Sequence, residues 1–199
     1  MKEDNMLTYN YSTMFAGKTL HLIQAKEIYD RKQMKAVVIK KETDTRDEHA
    51  DDGWGVISSR FNRLKTVGCH YFSNLKEELD RFSDNYNVFL VDEAQFLTKD
   101  EVLLLKDLSS TKNKTVLCYG LKTDVNGNLF EGSAALLSHA DNINEIPYLC
   151  QEPNCTEKAN YHARYVDGVR DNDTSAVKIE QGAVTYKALC YKHWKSIDR

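Results

Sequence analysis

Short apolar runs, separated by stretches whose apolar residues return at helical spacing, set the rhythm of the chain. Ala36-Val37-Val38-Ile39 and Val88-Phe89-Leu90-Val91 are unbroken runs of four, which suits strands of a parallel sheet buried on both faces. Leu7 to Tyr11 and Thr115 to Tyr119 predict two further strands. Between them Leu20, Leu22, Ile23 and Ile28 predict a helix running to about Arg31, and a second helix is expected from about Asn74 to Phe82. Thr98, with Glu101 three residues later, forms a capping box ahead of Val102-Leu103-Leu104-Leu105 and announces a third. Strand and helix thus alternate through the first 140 residues, the pattern of an α/β parallel sheet flanked by helices. Lys41 to Val67 breaks it: polar, rich in Asp and interrupted by Gly53-Trp54-Gly55, this stretch reads as a long excursion outside the core.

The character changes after Ile146, which divides the chain into an α/β unit over 1–146 and a smaller one over 147–199. Composition then narrows the class. The 199 residues are 41% apolar and 29% charged with a formal charge of −3, a globular balance that argues against broad attachment to polymeric nucleic acid. No run approaches a membrane span, and Met1-Lys2-Glu3-Asp4-Asn5 lacks the apolar segment of a secretory signal, so a cytoplasmic protein without a membrane partner is expected.

Two distant segments fit one phosphate-transfer site. Met14-Phe15-Ala16-Gly17-Lys18-Thr19 follows the first strand. In such a loop glycine lets backbone amides approach phosphate oxygens, lysine supplies charge, and the hydroxyl reaches a magnesium ion. The triplet Gly17-Lys18-Thr19 is a weak signal alone, since ordinary strand-to-helix turns contain it and Ser12 stands where a full phosphate loop has glycine. Its partner strengthens it. The apolar run 88–91 ends in Asp92-Glu93, and ligands of open α/β sheets sit beyond the carboxyl ends of the strands. There one carboxylate can hold a metal while the other accepts the proton of an attacking hydroxyl.

The C-terminal unit carries Cys150 and Cys155, then Cys190 and His193. Two closely spaced pairs of thiolates and imidazole suit tetrahedral zinc; disulfides fit a cytosolic chain less well, and unliganded cysteines are the remaining alternative. Cys69 and Cys118 stand alone and read as packing residues, as do the histidines without a partner at ligand spacing, His162 among them. Zinc would close a loop from Thr156 to Leu189 that is too short and polar to bury a core of its own, and a pinned loop beside a phosphate site suggests a lid.

The chain resembles the type II thymidine kinases, most closely their bacterial and phage branch. The resemblance rests on Met14 to Thr19, Asp44-Thr45-Arg46, Ile57-Ser58-Ser59-Arg60, Asp92-Glu93-Ala94-Gln95-Phe96, Tyr119-Gly120-Leu121-Lys122-Thr123-Asp124 and Tyr186-Lys187-Ala188-Leu189-Cys190, in that order. It implies a phosphate-loop α/β fold with a zinc-stabilised lasso, and transfer of the ATP γ-phosphate to the 5′-hydroxyl of thymidine, and of deoxyuridine as well. It also implies a homotetramer and feedback inhibition by thymidine triphosphate.

Carried over by residue, the resemblance makes Glu93 the base and places Asp92 and Thr19 on the magnesium side. Ser12, Thr13, Met14, Phe15, Ala16, Gly17, Lys18 and Gln95 fall among the nucleotide contacts, and Arg60 falls either there or in a structural ion pair. Phe96, Leu121, Val125, Phe130, Tyr186 and the lid stretch Val177, Lys178, Ile179, Glu180 and Gln181 fall around the nucleoside. Three departures stand out: Ser12-Thr13 for Gly-Pro, which removes the residue most tolerant of positive φ, Val125 for an aromatic residue, and Gln181-Gly182 for Gly-Gly. Two rival classes are an ATPase that drives motion, which would turn over ATP without any nucleoside, and a zinc-containing nucleic-acid module. The second would need clustered basic residues, but Lys187, Lys192 and Lys195 are diluted by Glu152, Asp167, Asp171, Asp173 and Glu180.

Overall fold

The computed structural model describes residues 6–42, 53–59, 65–171 and 183–196. A seven-stranded sheet is built from β1 (Leu7–Ser12), β2 (Ala36–Lys41), β3 (Trp54–Ser58), β4 (Thr66–Phe72), β5 (Val88–Asp92), β6 (Thr115–Leu121) and β7 (Asn142–Glu145). Its order is β3-β4-β2-β5-β6-β1-β7, and every pairing is parallel except β3 with β4. Helix α1 (Lys18–Arg31) covers one face; α2 (Leu75–Phe82), α3 (Lys99–Ser110) and α4 (Glu131–His139) cover the other.

Strand β5 shows why the apolar runs fall where they do. All five of its residues are buried; Phe89 and Val91 join the core under α2, α3 and α4, while Val88 and Leu90 join the core under α1. The helices turn matching stripes inward, with Leu75, Leu79 and Phe82 buried on α2 and Val102, Leu105 and Leu108 on α3. Asn74 caps α2 by accepting from the Lys76 N–H. The capping box of α3 is complete, Glu101 N–H to Thr98 Oγ1 at 3.2 Å and Thr98 N–H to Glu101 Oε2 at 2.7 Å.

The stretch 41–67 corrects the sequence expectation in part. Its described residues include β3, and Ile57 is 3% exposed within the core beneath α1. An antiparallel edge strand buries one side chain in two, so Ile57 alone of its neighbours carries the signal that continuous runs carry elsewhere.

Beyond Glu145 lies a separate three-stranded antiparallel sheet of order β10-β8-β9, from β8 (Tyr161–Val166), β9 (Val169–Asp171) and β10 (Val184–Leu189), followed by the short α5 (Tyr191–Ser196). The expected closed loop is therefore a small sheet. Its own cluster of buried residues comprises Cys150, Ala163, Leu189 and Cys190.

Candidate active site

Strand β6 lies between β1 and β5, so the turn after β1 and the end of β5 flank its carboxyl end about 10 Å apart, two strand spacings. Phe15 (φ 66°) and Gly17 (φ 82°) take left-handed conformations in that turn. Gly17 caps α1 without a side-chain hydrogen bond, which leaves the first N–H groups of the helix without a capping side chain, directed toward the position of an anion. A Cβ on Gly17 would meet nothing within 4 Å, so its dihedral and not space requires glycine. Ser12 ends β1 in extended form, with its hydroxyl donating to the Thr13 carbonyl at 2.7 Å. The left-handed geometry expected of residue 12 thus sits at Phe15 and Gly17, and Ser12 costs the loop nothing in φ.

Asp92, at the end of β5, is 4% exposed, and its Oδ1 has no hydrogen-bond partner among the described residues. Burial first, and then the neighbouring charge of Glu93, push its carboxyl up to about 7, against the pull of Lys40 and Lys18. Lys40 lies opposite Asp92 in the β2–β5 register and is itself 5% exposed. A buried carboxylate with an unbonded oxygen beside the candidate phosphate loop is suited to hold a cation. The sequence reading overlooked Lys40; the pair Lys40-Lys41 closing the apolar run 36–39 was the available signal.

Glu93 follows in a left-handed conformation (φ 49°, ψ 40°) and caps a single 3₁₀ turn, Ala94–Phe96. A non-glycine residue held there stores strain of about 1 kcal/mol or more, which a surrounding framework must enforce. Two contacts supply it. The Gln95 Nε2 donates to Glu93 Oε2 at 2.6 Å while its Oε1 accepts the Leu121 N–H at 3.0 Å, which fixes the amide orientation and ties the carboxylate to β6. Gly132 of α4 packs on the turn so closely that a Cβ there would lie 2.6–2.9 Å from the carbonyls of Ala94, Leu97 and Gln95. Gln95, 2% exposed, therefore has both ends of its amide engaged within the protein.

Beside Glu93 the Phe96 and Phe130 rings meet edge to face, centroids 5.9 Å apart. Leu121 lies at the end of β6, where its carbonyl accepts from Tyr9 and Ser133. Val125 is buried in a turn that Asp124 closes on itself, its Oδ1 accepting from the N–H groups of Asn126 and Asn128. From the C-terminal sheet, Tyr186 of β10 lies opposite Arg164 of β8. Two residues before Arg164, on the same face, His162 is 3% exposed and lines a small cavity with Asn160 against Ser12, Thr13, Lys122 and Thr123. Burial first, then the charge of Lys18, pull its imidazole down to about 4, against the opposing charge of Asp124. Arg60 and Val177 to Gln181, together with Asp44-Thr45-Arg46, lie outside the described residues.

The metal candidates converge. The ligand atoms of Cys150, Cys155, Cys190 and His193 all lie within 4.8 Å of one another. The His193 Nδ1 is 3.4 Å from Cys150 Sγ and 3.3 Å from Cys190 Sγ, and the Cys155 and Cys190 sulfurs are 4.0 Å apart. A tetrahedral zinc centre has sulfur–sulfur edges of about 3.8 Å and sulfur–nitrogen edges of about 3.5 Å, so the donor set fits in both chemistry and span.

The thymidine kinase family model matches residues 5–194. The thymidine kinase of Mannheimia succiniciproducens is 36% identical over 195 residues, covering 95% of this chain and 94% of the relative. Those of Streptococcus pyogenes serotype M1 and Streptococcus agalactiae serotype Ia are each 33% identical, covering 96% of this chain and 98% of the relative.

Proposed function

The chain belongs to the thymidine kinase family, and from that membership we infer that its site transfers the γ-phosphate of ATP to the 5′-hydroxyl of thymidine, with Glu93 as proton acceptor. The observation that carries the assignment of roles is the pair Asp92-Glu93 at the end of β5, with Glu93 clamped by Gln95 to β6. Two adjacent carboxylates in different surroundings divide two tasks.

Lys18 and the first N–H groups of α1 hold the β- and γ-phosphates. The Asp92 carboxylate and the Thr19 hydroxyl would hold magnesium, which supplies countercharge to the transferring phosphoryl group when bound. Glu93 draws the proton from the 5′-hydroxyl as that oxygen forms its bond to Pγ. The bond from Pγ to the bridging oxygen breaks, and ADP departs with the charge that Lys18 and the helix N-terminus stabilise. Phe96, Leu121, Val125 and Phe130 form the apolar side of the nucleoside pocket. Tyr186 approaches from the C-terminal unit, a lid that Cys150, Cys155, Cys190 and His193 would close around structural zinc. The family resemblance also assigns Val177 to Gln181, outside the described residues, to the nucleoside.

Deoxyuridine is a second acceptor in this reading, thymidine triphosphate a feedback inhibitor, a homotetramer the assembly and the cytoplasm the compartment. No helix among the described residues is long and apolar enough to cross a membrane. The test is mass spectrometry of products after incubation with magnesium-ATP and an equimolar panel of natural deoxynucleosides. A dominant thymidine monophosphate peak is expected; ADP without any monophosphate would replace the kinase with an ATPase.

A further inference from the structure

Trp194 belongs to none of the roles above, yet it joins three parts of the molecule. It lies on α5, where its own N–H donates to the carbonyl of Cys190 at 2.9 Å. Its ring stacks on Tyr161 of β8, with centroids 4.5 Å apart and 20° between planes, and the Arg170 guanidinium lies over it at 5.3 Å. Arg170 also donates to the Trp194 carbonyl at 2.7 Å. The indole Nε1–H leaves the C-terminal unit altogether and donates to the Val125 carbonyl at 3.1 Å. A Cβ at Gly127, two residues on in the same turn, would lie 3.5 Å from both the Trp194 and Tyr161 rings.

We propose that Trp194 is a positioning residue for the nucleoside site: it transmits the placement of the metal-bearing C-terminal unit to the Val125 turn. The inference rests on the reading that this turn faces the base. The turn is closed internally by Asp124, so its shape is set locally, but its position relative to the C-terminal sheet needs an external contact. An indole held by a stacked ring and a guanidinium and directed through its single donor supplies one. The bond is directional, so loss of the donor alone, with the ring kept, separates positioning from packing.

The test uses the full-length protein carrying Trp54→Phe, which leaves Trp194 as the one tryptophan, since the chain has two. Thymidine titration is expected to shift Trp194 emission along a saturation curve matching thymidine binding, while ATP alone leaves it unmoved. In steady-state kinetics of the native chain, Trp194→Phe is expected to raise the thymidine KM about five-fold, the worth of one neutral hydrogen bond, with the ATP KM and bound zinc unchanged. Trp194→Leu, which loses the stack as well, is expected to raise it about 20-fold. An unmoved thymidine KM in both variants, or emission blind to thymidine, overturns the proposal while leaving the kinase reading intact. Loss of zinc from Trp194→Phe also overturns it, by making Trp194 a structural support of the metal. A native protein that phosphorylates no thymidine overturns the functional reading and this proposal together.

Discussion

The phosphate end and the nucleoside end of this site are held by different physics. At the proposed phosphate end, Asp92 closes β5, Glu93 follows it and Lys18 opens α1, all set on a sheet whose two faces are buried in two clusters that together span most of its seven strands. At the proposed nucleoside end, the C-terminal sheet rests, among the described residues, on a cluster of four buried residues, two of which, Cys150 and Cys190, belong to the candidate metal set. Apolar burial of about 25 cal/mol per Å² places the first group of residues without outside help; a cluster of four cannot order a sheet at that rate. With the proposed zinc bound, the C-terminal unit would depend on ligation, and the two ends should fail separately.

Removing the metal should separate them most. Cys155→Ser, or treatment with a strong chelator, is expected to release zinc and weaken thymidine binding about 100-fold or more, while ATP binding stays within about three-fold. Metal analysis alongside calorimetry of each ligand checks this, and an equal loss of both would merge the two regions into one. Glu93→Gln strikes the phosphate end alone: kcat should fall about 10²–10⁴-fold, with both substrates still bound, because the change removes proton acceptance and little shape. Comparable turnover in that variant removes Glu93 from its role. Gly17→Ala is smaller. It meets no neighbour, so only the left-handed dihedral is penalised, at about 1–2 kcal/mol, and a rise of about ten-fold in the ATP KM with the thymidine KM unmoved is expected.

The smallest effect lies at the seam. The unfolded chain binds a proton on His162 near the ordinary 6.5, and the folded chain only near 4. Between those values the unfolded state holds more protons, so stability contributed by neutral His162 is present above pH 6.5 and lost as pH falls toward 4. His162→Gln should flatten the fall in Tm over that window; an identical pH profile would mean that the ring does not titrate with folding.

Legibility in the sequence follows the same division. Val88–Asp92 could be read because burial on both faces writes an unbroken apolar run, and the capping box at Thr98 because its two partners are three residues apart. The grouping of Cys150, Cys155, Cys190 and His193 was readable because thiolates and imidazole at these spacings are the residue types ligation needs. Strand β3 was hidden, since an edge strand buries only Ile57 deeply, and β7, Asn142–Glu145, is polar but for Ile143, which is exposed. Backbone pairing with β1 makes it a strand, and such pairing leaves no mark on side chains. The Gln95 bridge and the Trp194 contact join residues 26 and 69 positions apart. No local pattern encodes them.

The four ligands come from the two feet of the C-terminal sheet, Cys150 and Cys155 before β8, and Cys190 and His193 after β10. The start of β8 and the end of β10 are neighbours in the sheet, so under the proposed ligation the unit would be fastened at that one end. For an evolving lineage this separates fastening from recognition: side chains carried by β8 to β10, Tyr186 among them, can be rewritten, and under the proposed function the preferred nucleoside with them, without disturbing the candidate ligand set or the chemistry on the large sheet. Selection can thus retune what the protein accepts while what it does to it stays fixed.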